Sequence, residues 1–284
     1  MSQDAALTPE DWWSTDIIAM KPGEIRFRGY AIEDLIGRVG FVDMVWLMTR
    51  GELPRPEQAR LLEHALVAAV DHGPQAPSIA VARMAMTCGV GINNAMASAI
   101  NVLGDVHGGA GEQCVAFYHA IADAAGAGEV DEARLAEIVG RQIDDLKAQG
   151  VNHVPGFGHR FHPVDPRAPR LLELVDAAVA EGTVEGRFAR IGRAVEDVIA
   201  ARRGGRRVPM NIDGATAVVF AELGFEPALC RGLFVLSRSV GILAHAWEES
   251  RTGRRNKGPI PRHLLWTYTG PPPRALDDKG TGQG

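Results

Sequence analysis

From Tyr30 to about Arg251 the apolar residues recur three and four positions apart, the spacing of one face of an α-helix. Glu57 to Val70 shows it plainly, with Leu61, Leu62, Ala65, Leu66 and Ala69 on one side. The same reading predicts helices over Ile32–Ile36, Phe41–Met48, Ser78–Thr87, Ile92–Leu103, Glu112–Ala125, Asp131–Ala148, Pro169–Glu181 and Val184–Ala201. Another runs from Asn211 to near Gly224, and a long, mostly apolar one covers Pro227–Arg251. Thr8, Pro9, Glu10 and Asp11 read as a helix start, with Trp12 and Trp13 behind them as packing anchors. Ile17–Arg28 differs. Two short β-prone pieces flank Lys21-Pro22-Gly23-Glu24, whose Pro-Gly centre suits a type II turn, so a small hairpin is expected there. No alternation of strand and helix, no Gly-x-Gly-x-x-Gly after a strand and no Walker A loop occurs. The predicted fold class is all-α, with one short N-terminal β-hairpin.

Composition narrows the function classes. The chain has 284 residues, 46% hydrophobic and 23% charged, with a formal net charge of -5. That balance gives no general attraction for nucleic acid. The acidic N-terminus lacks the layout of a signal peptide, and the apolar stretch Gly232–Trp247 carries Arg238 in its middle, so no membrane association is expected. Cys88, Cys114 and Cys230 are far apart, which fits a reducing cytoplasm better than a zinc ribbon or a disulfide framework. A cytoplasmic location follows as an expectation.

The chemistry concentrates in turns. Val154–Arg170, VPGFGHRFHPVDPRAPR, offers a backbone that glycines open to close approach, a histidine at 159 and anion-binding Arg160, Arg167 and Arg170. Two further turns set His107 and Asp213 beside glycine. Two imidazoles and a carboxylate suit enol chemistry: the acid takes a proton from the carbon next to a thioester or ketone, and one histidine donates to the enolate oxygen. The second histidine serves an incoming carbonyl. Gly-bounded His and Asp also cap helices, so a structural reading stands beside this one. A serine triad is disfavoured by the lack of a Gly-x-Ser-x-Gly elbow. His159-x-x-His162 could ligate a metal, but the sequence offers no evident third ligand, and no metal is expected. Arg202–Arg207 is either a solvated basic loop or a contact for phosphates. His64, His119, His153, His162, His245 and His263 read as structural or surface residues.

These residues resemble the citrate synthase superfamily. His107 lies in VHGGAGE, similar to its HGGA-x-E turn, and His159 lies in VPGFGHR, followed by Asp165-Pro166-Arg167. Asp213 in NIDGA and Arg238 in LSRSVGILAH match its Asn-x-Asp and Arg-x-x-Gly stretches, and RGYAIEDLI and GELPRPEQ are similar to its N-terminal segments. The resemblance implies a large helical domain (1–107 and 236–284) and a small one (108–235) that close over substrate. It makes Asp213 the base toward acetyl-CoA, His107 the enol partner, and His159 the group serving the oxaloacetate carbonyl. His72, Arg167, Arg238 and Arg262 would bind substrate carboxylates, Arg262 across a homodimer, and the backbone at Val154, Gly156, Phe157 and Gly158 would lie against CoA. No tightly bound cofactor is implied; the CoA thioester is a substrate. The compact length and the Asp-His-Gly-Pro wording look more like citryl-CoA lyases, including the citryl-CoA-cleaving module of ATP citrate lyase. The expected activity is therefore citryl-CoA cleavage to acetyl-CoA and oxaloacetate, with citrate or 2-methylcitrate synthesis as the alternative. A non-catalytic CoA- or carboxylate-binding relative is the rival from another class.

Overall fold

A computed structural model describes residues 12–128, 130–261 and 263–275. The helix start expected at Thr8 and the candidate ligand Arg262 lie outside the described residues. Ile18–Lys21 (β1) and Glu24–Phe27 (β2) pair antiparallel, Ile18 opposite Phe27 and Lys21 opposite Glu24. A second tight turn, with Arg28 at φ 48° and Gly29 at φ 89°, folds Tyr30–Ala31 (β3) back onto β2. The sheet thus has three strands, one more than the hairpin expected. The extra strand is too short to show a pattern of its own.

Eleven helices follow among the described residues: α1 (Ile32–Leu35), α2 (Phe41–Arg50), α3 (Pro56–Ala68), α4 (Pro77–Thr87), α5 (Ile92–Ile100) and α6 (Ala110–Ala125). Then come α7 (Glu132–Ala148), α8 (Arg167–Ala180), α9 (Arg187–Arg202), α10 (Ile212–Glu222) and α11 (Pro227–Ser250). The all-α class holds. Among the starts that differ from expectation, two have reasons that lie in distant or irregular residues. Helix α8 begins at Arg167 because the Asp165 carboxylate accepts the Arg167 N–H at 3.1 Å. Helix α9 begins at Arg187, where Glu222 of α10 accepts the N–H groups of Gly186, Phe188 and Ala189 and so caps it from outside.

Helix α10 is apolar all round and is the buried centre: Ala215, Ala217, Val218 and Val219 are wholly enclosed. The large core cluster surrounds it and joins α6–α9 to Trp46 of α2, Leu61 and Leu62 of α3 and Leu233 of α11. A second, smaller cluster packs Ile79, Ala82, Ala95 and Ala99 of α4 and α5 against Ile242 and Ala246 of α11. Helix α11 therefore runs through both. It is long and apolar enough to cross a membrane by length and composition, yet it carries the buried Arg238 and packs against α3 to α6. Trp12 and Trp13 do not act as anchors within the described fold; Trp13 is 83% exposed.

Candidate active site

Helix α10 begins at Asn211, whose side-chain oxygen accepts the N–H groups of Asp213 (2.9 Å) and Gly214 (3.2 Å). That cap places Asp213 in the first turn of a helix that is otherwise apolar except for Thr216 and the terminal Glu222. Burial pushes its carboxyl above the usual range, against the pull of Arg167, Arg238 and His72. Those three groups come from the start of α8, the middle of α11 and the turn after α3. The two arginines bracket the end of α3, Arg167 donating to the Ala68 carbonyl (3.3 Å) and Arg238 to that of Ala69 (3.1 Å).

Arg238 is buried in a largely apolar helix, its guanidinium 4.9 Å from the Phe234 ring centre. Burial lowers its pKa, while Asp71 and Asp213 work to keep it charged. Arg167 forks onto Asp165 with Nε–Oδ1 at 2.9 Å and Nη2–Oδ2 at 2.8 Å. Asp165 also accepts the Ile212 N–H at 3.1 Å, which ties the loop to α10. Burial alone would raise the Asp165 carboxyl; the bonds from Arg167 and Ile212 outweigh it and hold the group below the carboxylate range. Of the three arginines in the 154–170 loop, only Arg167 turns inward: Arg160 is exposed, and Arg170 pairs with Glu173 on the surface.

The histidines carry defined protons. His159 Nδ1 accepts the backbone N–H groups of Phe161 (3.0 Å) and His162 (3.1 Å), so its own proton sits on Nε2, 3.2 Å from Nε2 of His72. Burial, first of all, lowers its pKa and favours this neutral, donating form. His107 is wired the other way. Its Nε2 accepts from the Ser78 N–H (3.1 Å) and faces the Ser78 hydroxyl (3.0 Å), which leaves the proton on Nδ1. Burial and the nearby Arg238 keep it neutral. The structure thus gathers His72, His159, Arg167, Asp213 and Arg238 in one region, with His107 facing Arg238 from the α5–α6 turn.

His162 joins this region unexpectedly. Nitrogens of His72, His159 and His162 lie within 4.8 Å of one another, which supplies the third imidazole that the sequence did not reveal. A metal at His159 Nε2 would move the ring proton to Nδ1, against two backbone donors. The wiring of His159 suits a proton donor better than a ligand.

The glycines of the loop serve packing as well as turning. Gly156 stands at φ 84°, and a Cβ there would lie 2.6 Å from Cys114 Sγ and 2.7 Å from Gly214 Cα. The Gly156 carbonyl accepts from Asn211, the Gly158 N–H donates to Pro209, and the Gly158 carbonyl accepts from the Asn211 amide. These backbone groups are used internally, riveting the His159 loop to the start of α10. Sequence reasoning missed Asp71, Ser78 and His245 near the site, because each enters through a partner far away along the chain.

Residues 54–262 match the family model for the citrate synthase C-terminal domain. The chain is 32% identical over 209 residues to citrate synthase of Deinococcus radiodurans, covering 73% of this chain and 52% of that protein. It spans about half the length of the curated relatives it matches. Among solved structures, citryl-CoA lyase from Hydrogenobacter thermophilus superposes with a TM-score of 0.79 at 31% identity, covering 93% of this chain and 97% of that one. ATP citrate lyase from Methanothrix soehngenii, solved with citrate and coenzyme A, shares the fold with a TM-score of 0.72 at 20% identity; the match covers 91% of this chain and 42% of that one. The matched segment holds His72, His107, His159, Arg167, Asp213 and Arg238, and the chain belongs to the citrate synthase family.

Proposed function

We propose that the protein makes and breaks the carbon–carbon bond of citryl-CoA, citryl-CoA ⇌ acetyl-CoA + oxaloacetate, without a tightly bound cofactor. The observation that carries this reading is a half-buried acid, Asp213, within electrostatic reach of Arg167, Arg238 and His72, with the Nε2 proton of His159 directed at His72 3.2 Å away. In the condensing direction Asp213 takes a proton from the acetyl-CoA methyl group, and the Nδ1–H of His107 bonds the enolate oxygen. The enolate carbon then attacks the oxaloacetate carbonyl, and His159 gives its Nε2 proton to the new alkoxide. In the cleaving direction His159 takes the hydroxyl proton back, the bond breaks, and protonated Asp213 returns a proton to the enol carbon. The raised pKa of Asp213 suits a group that holds a proton in one half of the cycle.

His72, Arg167 and Arg238 would hold the substrate carboxylates, and the CoA thioester would run along Val154–Gly158. His72, His107 and Arg238 belong to segments 1–107 and 236–284, and His159, Arg167 and Asp213 to 108–235. Closure of the second part over the first would complete the site and keep water from the enolate.

The TM-score of 0.79 at 31% identity to a citryl-CoA lyase favours cleavage over synthesis. The 32% identity to a citrate synthase supports the second reading, in which citryl-CoA is also hydrolysed. The three cysteines are unpaired, in keeping with a cytoplasmic setting. Product analysis decides between the readings: citryl-CoA should yield acetyl-CoA and oxaloacetate without free CoA. Free CoA formed in step with citrate would instead mark a synthase. Asp213→Ala should lower turnover at least roughly a thousandfold, and unchanged turnover would remove Asp213 as the base.

A further inference from the structure

The turn that presents His72 is held by groups the proposed chemistry does not use. Asp71 precedes it, and its carboxylate accepts backbone N–H groups from His72 and from Gly73, the latter at 3.0 Å. Behind Asp71 stands His245 of α11, with Nε2 3.4 Å from both carboxylate oxygens. His245 Nδ1 receives an N–H from Arg83 of α4 at 2.9 Å, so the ring proton is on Nε2 and faces Asp71. Arg83 is itself fixed by Glu248 and, at 2.6 Å, by Glu249. Glu249 is buried and also meets Lys257 (3.2 Å) and Arg254 (3.5 Å).

Gly241 lies one helical turn before His245 on the same face of α11. A Cβ there would overlap the Val70 carbonyl oxygen and come 2.9 Å from Asp71 Oδ1. Helix α11 therefore meets the turn twice, with bare backbone at Gly241 and with an N–H donor at His245. Burial works against the Asp71 charge, but Gly73, His245 and His72 together hold its carboxyl below the usual range. The charges around the pair are Arg83 and Glu248 on one side and Arg238 on the other.

We propose that His245 is a positioning residue: acting through Asp71, it sets where the His72 imidazole stands and so the affinity for the carboxylates of the four-carbon acid. This rests on the function proposed above. The test is steady-state kinetics of the full chain with oxaloacetate and acetyl-CoA, beside calorimetric titration with oxaloacetate alone. His245→Leu should raise KM and Kd for oxaloacetate roughly tenfold and leave KM for acetyl-CoA within about twofold. His245→Gln, whose amide N–H can replace the Nε2–H while its oxygen accepts from Arg83, should restore the oxaloacetate values. An unchanged oxaloacetate KM and Kd in His245→Leu would overturn the proposal. So would equal losses for both substrates that glutamine fails to rescue. If the leucine variant does not fold, Asp71→Asn takes its place: KM and Kd should rise for oxaloacetate and not for acetyl-CoA, and unchanged oxaloacetate values or equal losses for both substrates would overturn the proposal. A wild type that binds oxaloacetate without turnover would defeat the catalytic reading and leave this one to be decided by the titration.

Discussion

Helix α11 buries polar groups beside its apolar core residues Leu233, Ile242 and Ala246 and leaves other apolar side chains in the open. Ser237, Arg238, Gly241 and His245 turn inward, where Ser237 bonds the Leu66 carbonyl, Arg238 that of Ala69, and His245 contacts Asp71. Leu236, Val240, Leu243 and Trp247 turn outward and remain 44% to 58% exposed. A buried charge is costly unless partnered, and a row of exposed aliphatic side chains is costly unless covered. The inward face spends stability on positioning a site. The outward face forms a groove of about 670 Å³ with α2 and α3, and we propose that a second copy of the chain covers it.

Substitution on each face tests that contrast. The largest effect belongs to the inward charge. Arg238→Gln should lower kcat/KM for oxaloacetate by roughly a hundredfold to a thousandfold. Arg238 draws the Asp213 pKa down, so its loss should also move the acid limb of the kcat/KM profile to higher pH. A profile displaced to lower pH would break the argument.

Asp165 carries the comparison to a second inward charge. Its folded pKa lies below the unfolded one, so its stabilisation is present above the unfolded carboxylate range and is lost as pH falls through the folded pKa. Asp165→Asn should cost about 2 kcal/mol at neutral pH, a difference from wild type that shrinks on acidification in urea titrations. A difference that grew on acidification would contradict the pairing with Arg167. The smallest effect on the fold itself is expected outside. Leu243→Lys should change chain stability by about 0.5 kcal/mol or less, yet lower the mass measured by light scattering from dimer to monomer. A mass unaffected by this change would leave the outward row without its assigned partner.

Much of this was legible in the chain. Pro22-Gly23 announced the hairpin, and Gly23 stands at φ 78° as a type II turn requires. The apolar period gave the helices, and histidine or aspartate next to glycine marked His107, His159 and Asp213. What stayed hidden depends on partners that no local spacing encodes. His72 meets His159 across 87 positions and Asp71 meets His245 across 174, and Glu222 caps a helix that starts 35 residues before it. Even the correctly noticed Gly156 had a further reason, since its missing side chain makes room for Gly214 and Cys114.

That close approach has a mechanical result. Because Gly156 and Gly158 are bonded to 209–211 and Asp165 to Ile212, the loop of His159 and the helix of Asp213 form one stiff piece. His72 and Arg238 form another through the end of α3 and the contacts made by α11. At the site the two pieces meet where the His72 ring faces His159, Phe161 and His162 and where Arg167 bonds Ala68, and behind it they share the large core cluster. Any motion between the pieces would therefore have to slide over that shared core, and it would carry the His159 loop and the start of α10 together as a unit.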